Sequence, residues 1–327
     1  MHLRISMLLF LVHPLMLFSQ SDSEGKKIEK GVAASQRSDF NSAIIHYTNA
    51  LELNPKSGVA YGYRAEAFWR IGRFQEAFAD CNKAIELNSN LYHAYFFRGK
   101  SLEALGRYEG AITDFGKALE LRPDNSTAYF HRANVFALLM RYPEAIDDYN
   151  KTLELNPKYF QALLKRGVAY RSAGNLSKAI VDFENGLALE PGSASFHHEL
   201  GVTFGELKKY PEAILSYTKA LKLSPKDEKL YNDRAVAFLK AGESDNALAD
   251  FNKSIELNPK SSKAYKKRGE FYLKTGDYPK AVLDFSQSIK LNSRNSGAYL
   301  SRAKAYQSMG KNVEAEADFS KAKTLAK

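Results

Sequence analysis

Small and large apolar residues recur along this chain at fixed positions of a 34-residue period. Nine consecutive blocks follow the period from Glu24 to Lys327 without an insertion or deletion. The blocks begin at Glu24, Gly58, Tyr92, Ser126, Phe160, Ala194, Glu228, Ser262 and Ser296. Positions 4, 8 and 11 of a block, and positions 20 and 24, have the spacing of neighbours on one helix face. Each block therefore predicts two antiparallel helices, and the whole chain predicts an all-α repeat array.

The smallest residues mark where the two helices of a block are expected to meet. Position 20 is alanine in all nine blocks, and position 8 is glycine or alanine in all nine. Position 24 is aromatic in eight blocks, with Cys81 as the exception. We expect the helices to touch where position 8 meets position 20, with larger residues filling the volume around that contact. Glycine at position 15 and proline at position 32, each in six blocks, predict the helix ends.

This pattern resembles the tetratricopeptide repeat (TPR) family, whose period is about 34 residues. In the third block the matching residues are Tyr95, Gly99, Leu102, Gly106, Tyr108, Ala111, Phe115, Ala118 and Pro123. The resemblance covers residues 24–327 and implies a right-handed superhelical solenoid of helix–turn–helix repeats. It also implies a non-catalytic scaffold for protein–protein interaction, in which the first helices line a concave groove that binds a peptide or protein surface.

The N-terminus predicts export. Residues 1–4 supply one positive charge, residues 5–18 are almost wholly apolar, and the next residues are small and polar. A membrane span needs about 20 apolar residues, so the stretch is short for a permanent anchor. We predict a signal peptide over residues 1–19, a polar lead-in over 20–23 and the repeat array over 24–327. The exported chain would be periplasmic, in the cell envelope or secreted, with an N-terminal membrane anchor as the minor alternative.

One pair of charged positions varies together. Position 7 is arginine and position 23 is aspartate in the same seven blocks. These residues are Arg64 and Asp80, Arg98 and Asp114, Arg132 and Asp148, Arg166 and Asp182, Arg234 and Asp250, Arg268 and Asp284, and Arg302 and Asp318. The other two blocks carry Lys30 with His46 and Leu200 with Ser216, so both partners are absent together. We predict a structural Arg–Asp bridge inside each of these seven blocks, in preference to a basic ladder for a ligand.

Catalytic chemistry has no support in the pattern. The histidines of the repeats, His46, His93, His131, His197 and His198, fall at unrelated repeat positions. Adjacent residues such as His197 and His198 point in different directions on a helix and cannot both ligate one metal ion. We therefore expect no enzyme activity, no cofactor or metal site, and no small-molecule substrate.

Candidate binding residues come from the groove positions that the resemblance implies. They are Trp69, Phe96, Lys100, Phe130, Asn134, Leu164, His198, Lys229, Asn232, Lys263 and Lys266. Trp69 stands out because its position 12 has no packing role in the repeat frame. The aromatic residues predict an apolar anchor site in blocks two to five, and the lysines predict a site for an acidic stretch in blocks seven and eight. The competing interpretation is that these residues are packing aromatics and scattered solvated lysines.

Two other partner classes fit the sequence less well. Some TPR adaptors clamp the C-terminal carboxylate of chaperones with lysine and asparagine at set positions, but no three consecutive blocks carry that set; Asn134, for example, follows Phe130 where a lysine is required. Nucleic acid is the alternative suggested by a formal net charge of +10 and a pI near 9.3. The groove positions show no recurrent base-reading pair, so a protein or peptide remains the favoured partner.

Overall fold

A computed structural model describes residues 23–326, and these residues form helices joined by short turns with no strand among them. The helices are α1 Ser23–Gln36, α2 Phe40–Leu53, α3 Gly58–Arg70, α4 Phe74–Leu87, α5 Tyr92–Ala104, α6 Tyr108–Leu121, α7 Ser126–Leu138, α8 Tyr142–Leu155, α9 Phe160–Ser172, α10 Leu176–Leu189, α11 Ala194–Glu206, α12 Tyr210–Leu223, α13 Glu228–Ala241, α14 Ser244–Leu257, α15 Ser262–Thr275, α16 Tyr278–Leu291, α17 Ser296–Ser308 and α18 Asn312–Leu325. The predicted all-α class with paired helices is confirmed. The expected signal peptide, residues 1–19, lies outside the described residues.

Short polar side chains begin many of the first helices. The Ser57 hydroxyl accepts a hydrogen bond from the Ala60 backbone N–H at 3.3 Å, and the side-chain Oδ1 of Asn125 accepts one from the Ala128 backbone N–H at 2.9 Å. Such N-caps satisfy backbone donors that have no partner inside the helix. The repeating Ser, Asn or Asp before a first helix therefore sets where that helix begins.

Position 15 has the same left-handed backbone whether or not it is glycine. The six glycines expected to end first helices have φ values between 72° and 87°. In the repeats without glycine, Ser38, Met140 and Lys208 adopt φ values of 62°, 58° and 60°. A left-handed residue with a side chain is strained, so these three turns are held by the packing of the helices on either side.

An aromatic ring of the same repeat limits the size of the residue at position 8. A Cβ atom added to Gly31 would lie 2.4 Å from the Tyr47 ring, and one added to Gly167 would lie 2.4 Å from the Phe183 ring. Both rings occupy position 24 of the same repeat and are 0–1% exposed. The position 24 ring therefore limits the size of position 8 in these repeats. The expected contact of position 8 with the alanine at position 20 stays a prediction.

The chain divides into two compact units, Met1–Pro157 (unit 1) and Lys158–Lys327 (unit 2). Within each unit, the second helix of one repeat packs on the first helix of the next. First helices of adjacent repeats also touch each other, whereas second helices of adjacent repeats do not among residues 23–326. The first helices are therefore closer together and form the inner side of each unit. We call this side the first-helix surface, α1, α3, α5 and α7 in unit 1 and α9, α11, α13, α15 and α17 in unit 2.

Candidate functional site

The Arg–Asp pairs join the two helices of a repeat through paired hydrogen bonds. In repeat four, Arg132 Nε donates to Asp148 Oδ2 at 2.7 Å and Arg132 Nη2 donates to Asp148 Oδ1 at 2.8 Å. The same two-point geometry recurs in all seven repeats of residues 23–326 that carry both residues. The aspartates are 3–7% exposed. These pairs therefore join the two helices of a repeat, and their charges are not presented to a ligand.

The arginine also reaches the preceding repeat, a contact that the sequence analysis missed. The third nitrogen, Nη1, donates to the side chain at position 25 of the previous second helix. The pairs are Arg64 with Thr48 at 3.1 Å, Arg98 with Asn82 at 2.9 Å, Arg234 with Thr218 at 3.0 Å, Arg268 with Asn252 at 2.7 Å and Arg302 with Ser286 at 2.9 Å. Each of these guanidinium groups thus connects three helices. The recurrence of Thr, Asn or Ser at position 25 is the signal that could have predicted it.

Trp69 has a packing role, contrary to the prediction. Its ring lies 5.9 Å from the Phe97 ring and 6.5 Å from the Phe74 ring, measured between centroids. Lys100 Nζ sits 3.7 Å from the centroid of the Trp69 ring. The indole is therefore half-buried between helices α3, α4 and α5 and is covered in part by the chain's own lysine.

Phe96 belongs to the core and is not an open anchor. It is 7% exposed and packs against the Phe115 ring at 5.9 Å. Phe130 on α7 is half-buried, with its ring 6.0 Å from the Tyr149 ring. Asn134 accepts a hydrogen bond from the Tyr149 hydroxyl at 2.7 Å, so its carbonyl oxygen is already used. The predicted aromatic site in unit 1 is thus corrected to the exposed parts of Trp69 and Phe130.

Charged side chains and a histidine lie beside Trp69 and Lys100. Glu66 Oε2 lies 2.8 Å from His93 Nε2, and Arg70 Nη2 lies 3.0 Å from Glu66 Oε1. Burial works against ionisation of Glu66, but the His93 hydrogen bond and the Arg70 charge together lower its pKa to about 2. Burial lowers the pKa of Lys100 to about 8, and the nearby Arg70 charge adds to the effect. Sequence analysis gave His93 no role in a site, because it belongs to no motif.

A different network crosses the first-helix surface of unit 2. Arg171 on α9 contacts Glu199 and Glu206 on α11, each at 2.9 Å. His198 Nε2 on α11 lies 3.0 Å from Asp233 Oδ2 on α13. The hydrogen bonds to Asp233 and Glu199 raise the pKa of His198 to about 9. The predicted groove residue His198 is therefore paired with Asp233 on α13 as a cation at neutral pH.

The remaining predicted groove residues of unit 2 divide by exposure. Asn232 is 4% exposed, which corrects its assignment to an open groove. Leu164 is half-buried, whereas Lys229 and Lys263 are exposed. Lys266 is half-buried, with Nζ 3.3 Å from Glu270 Oε1. Lys229 and Lys263 are thus the predicted groove residues most open to solvent.

The net charge is distributed unevenly between the two units. Unit 1 contains 18 Lys and Arg against 18 Asp and Glu, and unit 2 contains 29 against 19, so the whole net charge of +10 lies in unit 2. The basic character that the composition suggested for the chain is therefore a property of unit 2. Long-range attraction of an anionic partner would act there.

Three further observations concern metal binding, membrane crossing and thiol reactivity. Within residues 23–326 no cluster of three or more His, Cys, Asp or Glu residues is placed to hold a metal ion. None of the helices described there has the length and apolar content needed to cross a membrane. Cys81 is buried, and burial raises the pKa of its thiol, which keeps it protonated.

Comparison with known proteins gives the family. Family models of the tetratricopeptide repeat match residues 28–91, 98–160, 141–195, 228–261 and 251–282, and a family model named TPR repeat matches residues 206–242. DnaJ homolog subfamily C member 7 from Homo sapiens is 40% identical over 52 residues, 16% of this chain and 10% of that protein. Hsp70-Hsp90 organizing protein 2 from Arabidopsis thaliana is 39% identical over 51 residues, 16% of this chain and 9% of that protein. The chain thus spans about a tenth of the length of these relatives.

Solved structures show the same fold. YrrB, described as a TPR protein with an unusual peptide-binding site, is 26% identical with a TM-score of 0.51, covering 56% of this chain and 94% of that one. A tetratricopeptide repeat protein from Parabacteroides merdae is 20% identical with a TM-score of 0.55, covering 86% and 98%. The APC/C hetero-tetramer Cut9–Hcn1 contains a chain 19% identical with a TM-score of 0.58, covering 86% and 56%. With paired helices and family matches along most of its length, this chain belongs to the tetratricopeptide repeat family of protein-interaction scaffolds.

Proposed function

We propose that this protein is an exported, non-catalytic scaffold that holds a peptide or protein segment against its first-helix surface. The observation that carries the proposal is the direct contact between first helices of adjacent repeats, which makes one continuous surface in each unit. The similarity to YrrB, whose description names a peptide-binding site, supports a peptide or protein as the partner.

The side chains on the first-helix surface indicate which residues the bound segment would contain. In unit 2, the exposed Lys229 and Lys263 and the neighbouring Lys266 favour an acidic stretch. In unit 1, the exposed parts of Trp69 and Phe130 offer a small apolar contact for an anchor residue. Aromatic side chains of this kind often carry most of the binding energy at an interface.

A site-specific photo-crosslinker tests the binding surface. We would place it at Lys263 on the first-helix surface of unit 2 and, as the matched control, at Leu283 on α16, which is 69% exposed. The proposal expects covalent adducts with a recurring partner from Lys263 and not from Leu283. Adducts from Leu283 without adducts from Lys263 would move the binding surface to the second helices and reject the proposal.

Export is proposed from the N-terminal sequence. An apolar stretch follows a single positive charge and precedes small polar residues, which is the order found in secretory signal peptides. We place the mature protein in the periplasm, in the cell envelope or outside the cell. N-terminal sequencing of the protein from fractionated cells should find a start near residue 20, and an intact Met1 in the cytosolic fraction would reject export.

Nucleic acid is the second candidate, favoured by the concentration of the net charge in unit 2. A nucleic-acid binder releases counterions, so its affinity falls steeply and linearly with the logarithm of salt concentration. Titration of the mature chain with random RNA from about 50 to about 200 mM salt separates the two candidates. Micromolar binding with a steep salt slope would support nucleic acid, and weak binding at all salt concentrations would leave the protein partner.

A further inference from the structure

Lys100 is a cation of the unit 1 surface that is held chiefly by aromatic rings. Its Nζ lies 3.7 Å from the centroid of the Trp69 ring and 5.4 and 5.6 Å from those of Phe96 and Phe97. No carboxylate of residues 23–326 forms an ion pair with this amine. A cation–π contact stabilises an ammonium but leaves its other N–H donors to water or to a ligand.

Two glutamates act on Lys100 from a distance, and one of them, Glu66, is already paired with other groups. Glu66 on α3 binds His93 and Arg70, and Glu103 on α5 lies 3.4 Å from His131 Nδ1 on α7. Both glutamates favour the charged form of Lys100 from a distance, whereas Arg70 disfavours it. His131 is kept neutral because burial lowers its pKa. The Lys100 ammonium is therefore partly desolvated without a counter-ion in contact.

A buried charge without a counter-ion is costly, and an anion delivered by a ligand recovers much of that cost. We propose that Lys100 binds an acidic side chain of the segment held on the first-helix surface, with apolar neighbours of that side chain packing beside Trp69 and Phe130. The proposal rests on the proposed function, because it assumes that the segment lies on this surface. It assigns unit 1 an acidic contact where the sequence predicted an apolar anchor.

Binding at Lys100 is coupled to a proton. Burial and the Arg70 charge hold the pKa of Lys100 at about 8 in the free protein, and an adjacent carboxylate raises it. The complex therefore takes up a proton when it forms above pH 8. Linkage then makes the affinity fall by up to about 10-fold for each pH unit above 8, until the pKa of the bound state is reached.

Two isosteric peptides test the proposal, acetyl-Phe-Glu-Phe-amide and acetyl-Phe-Gln-Phe-amide. Because Trp69 is the sole tryptophan, its fluorescence reports binding beside Lys100. We expect the Glu peptide to bind at least about 10-fold more tightly than the Gln peptide at pH 7, which corresponds to about 1.4 kcal/mol. Its affinity should fall above pH 8, while that of the Gln peptide should stay constant.

Two variants separate an anion site from a merely structural lysine. Lys100→Met keeps the aliphatic stem and should abolish the preference for the Glu peptide. Lys100→Arg should restore the preference and remove the loss of affinity above pH 8, since arginine stays charged. Circular dichroism establishes that each variant is folded.

Three results would overturn the proposal: equal binding of both peptides, no Trp69 response to either at about 5 mM, or an unchanged preference in Lys100→Met. The proposed function fails separately. If Lys263 crosslinks to a partner but the peptides do not discriminate, the scaffold function stands and the acidic contact at Lys100 is rejected.

Discussion

Arg132 on α7 and Asp148 on α8 face each other with two parallel hydrogen bonds of 2.8 and 2.7 Å. The carboxylate is 7% exposed, so it depends on the guanidinium for its charge balance. Repeat six replaces this pair with Leu200 and Ser216, which are 6% and 7% exposed. The chain thus contains a buried neutral pair of residues at the same two repeat positions.

Removing one member of the pair should cost more than removing both. Arg132→Leu leaves a buried carboxylate uncompensated, and we expect a loss of about 3 kcal/mol in the free energy of unfolding. Arg132→Leu with Asp148→Ser copies repeat six and should recover at least about 1 kcal/mol of that loss. Urea unfolding followed by circular dichroism measures both variants. A double variant no more stable than the single one would contradict the structural role of the pair.

The third hydrogen bond of the arginine can be supplied where the chain lacks it. Gly116 occupies position 25 before Arg132, and a Cβ atom there would lie 3.7 Å from Arg132 Nη1. Gly116→Ala should stabilise α6 by about 1 kcal/mol through helix propensity. Gly116→Asn should match or exceed it, because a hydrogen bond worth about 1 kcal/mol offsets the poorer propensity of asparagine.

The control for this prediction uses the neutral pair. In the background Arg132→Leu with Asp148→Ser, the asparagine has no guanidinium to bind. Gly116→Ala should then be the more stable variant by about 0.5 kcal/mol. The same order of Ala and Asn in both backgrounds would exclude the contact with Arg132.

The left-handed turn at Met140 should accept glycine with a gain in stability. Met140 has φ 58° and is 73% exposed, so its side chain contributes little packing. We expect Met140→Gly to raise the unfolding free energy by about 0.5–1 kcal/mol. The reverse change, Gly106→Ala at φ 72°, meets no atom within 4 Å and should cost about 1 kcal/mol through the backbone alone. Thermal unfolding compares the two, and a loss of stability in Met140→Gly would contradict the strain.

Phe96 and Phe130 should differ in their contributions to stability and to partner binding. Phe96→Ala removes a ring from the core and should destabilise unit 1 by about 3 kcal/mol or more. Phe130→Ala removes a half-buried ring and should cost less while weakening partner capture. Denaturation and crosslinking yields measure the two effects. Equal destabilisation would show that both rings belong to the core.

The stability of unit 2 should depend on pH through His198. Its pKa is about 9 in the folded chain, above the ordinary value of 6.5, so protonation favours folding. The contribution is fully present below about pH 6.5 and is lost as pH rises through 9. Because the side chain is 30% exposed, we expect a loss of about 1 kcal/mol between pH 6 and 9.5. His198→Gln should lose this dependence, and an unchanged pH profile would contradict it.

Much of the fold could be predicted from the chain alone. The 34-residue period, the alanines at position 20 and the glycines at position 15 predicted the paired helices and their turns. The paired presence of arginine and aspartate predicted which residues face each other inside a repeat, and Arg132 and Asp148 do so. Repetition makes these predictions possible, because a comparison of nine repeats distinguishes the recurring packing positions from the variable positions.

Which side chains are exposed on the first-helix surface is determined by the tertiary structure. The sequence placed Phe96, Trp69 and Asn232 in the groove, yet Phe96 and Asn232 are buried and Trp69 packs against Phe97 and under Lys100. Phe97 and Lys100 on the next first helix cover Trp69, and His131 on the next first helix packs against Phe96, so these contacts come from residues about a repeat away in the chain. The link from Arg98 to Asn82 and the desolvation of Lys100 arise in the same way, across repeats. The 34-residue period describes what all repeats share, whereas burial and charge on the first-helix surface depend on side chains that differ from one repeat to the next.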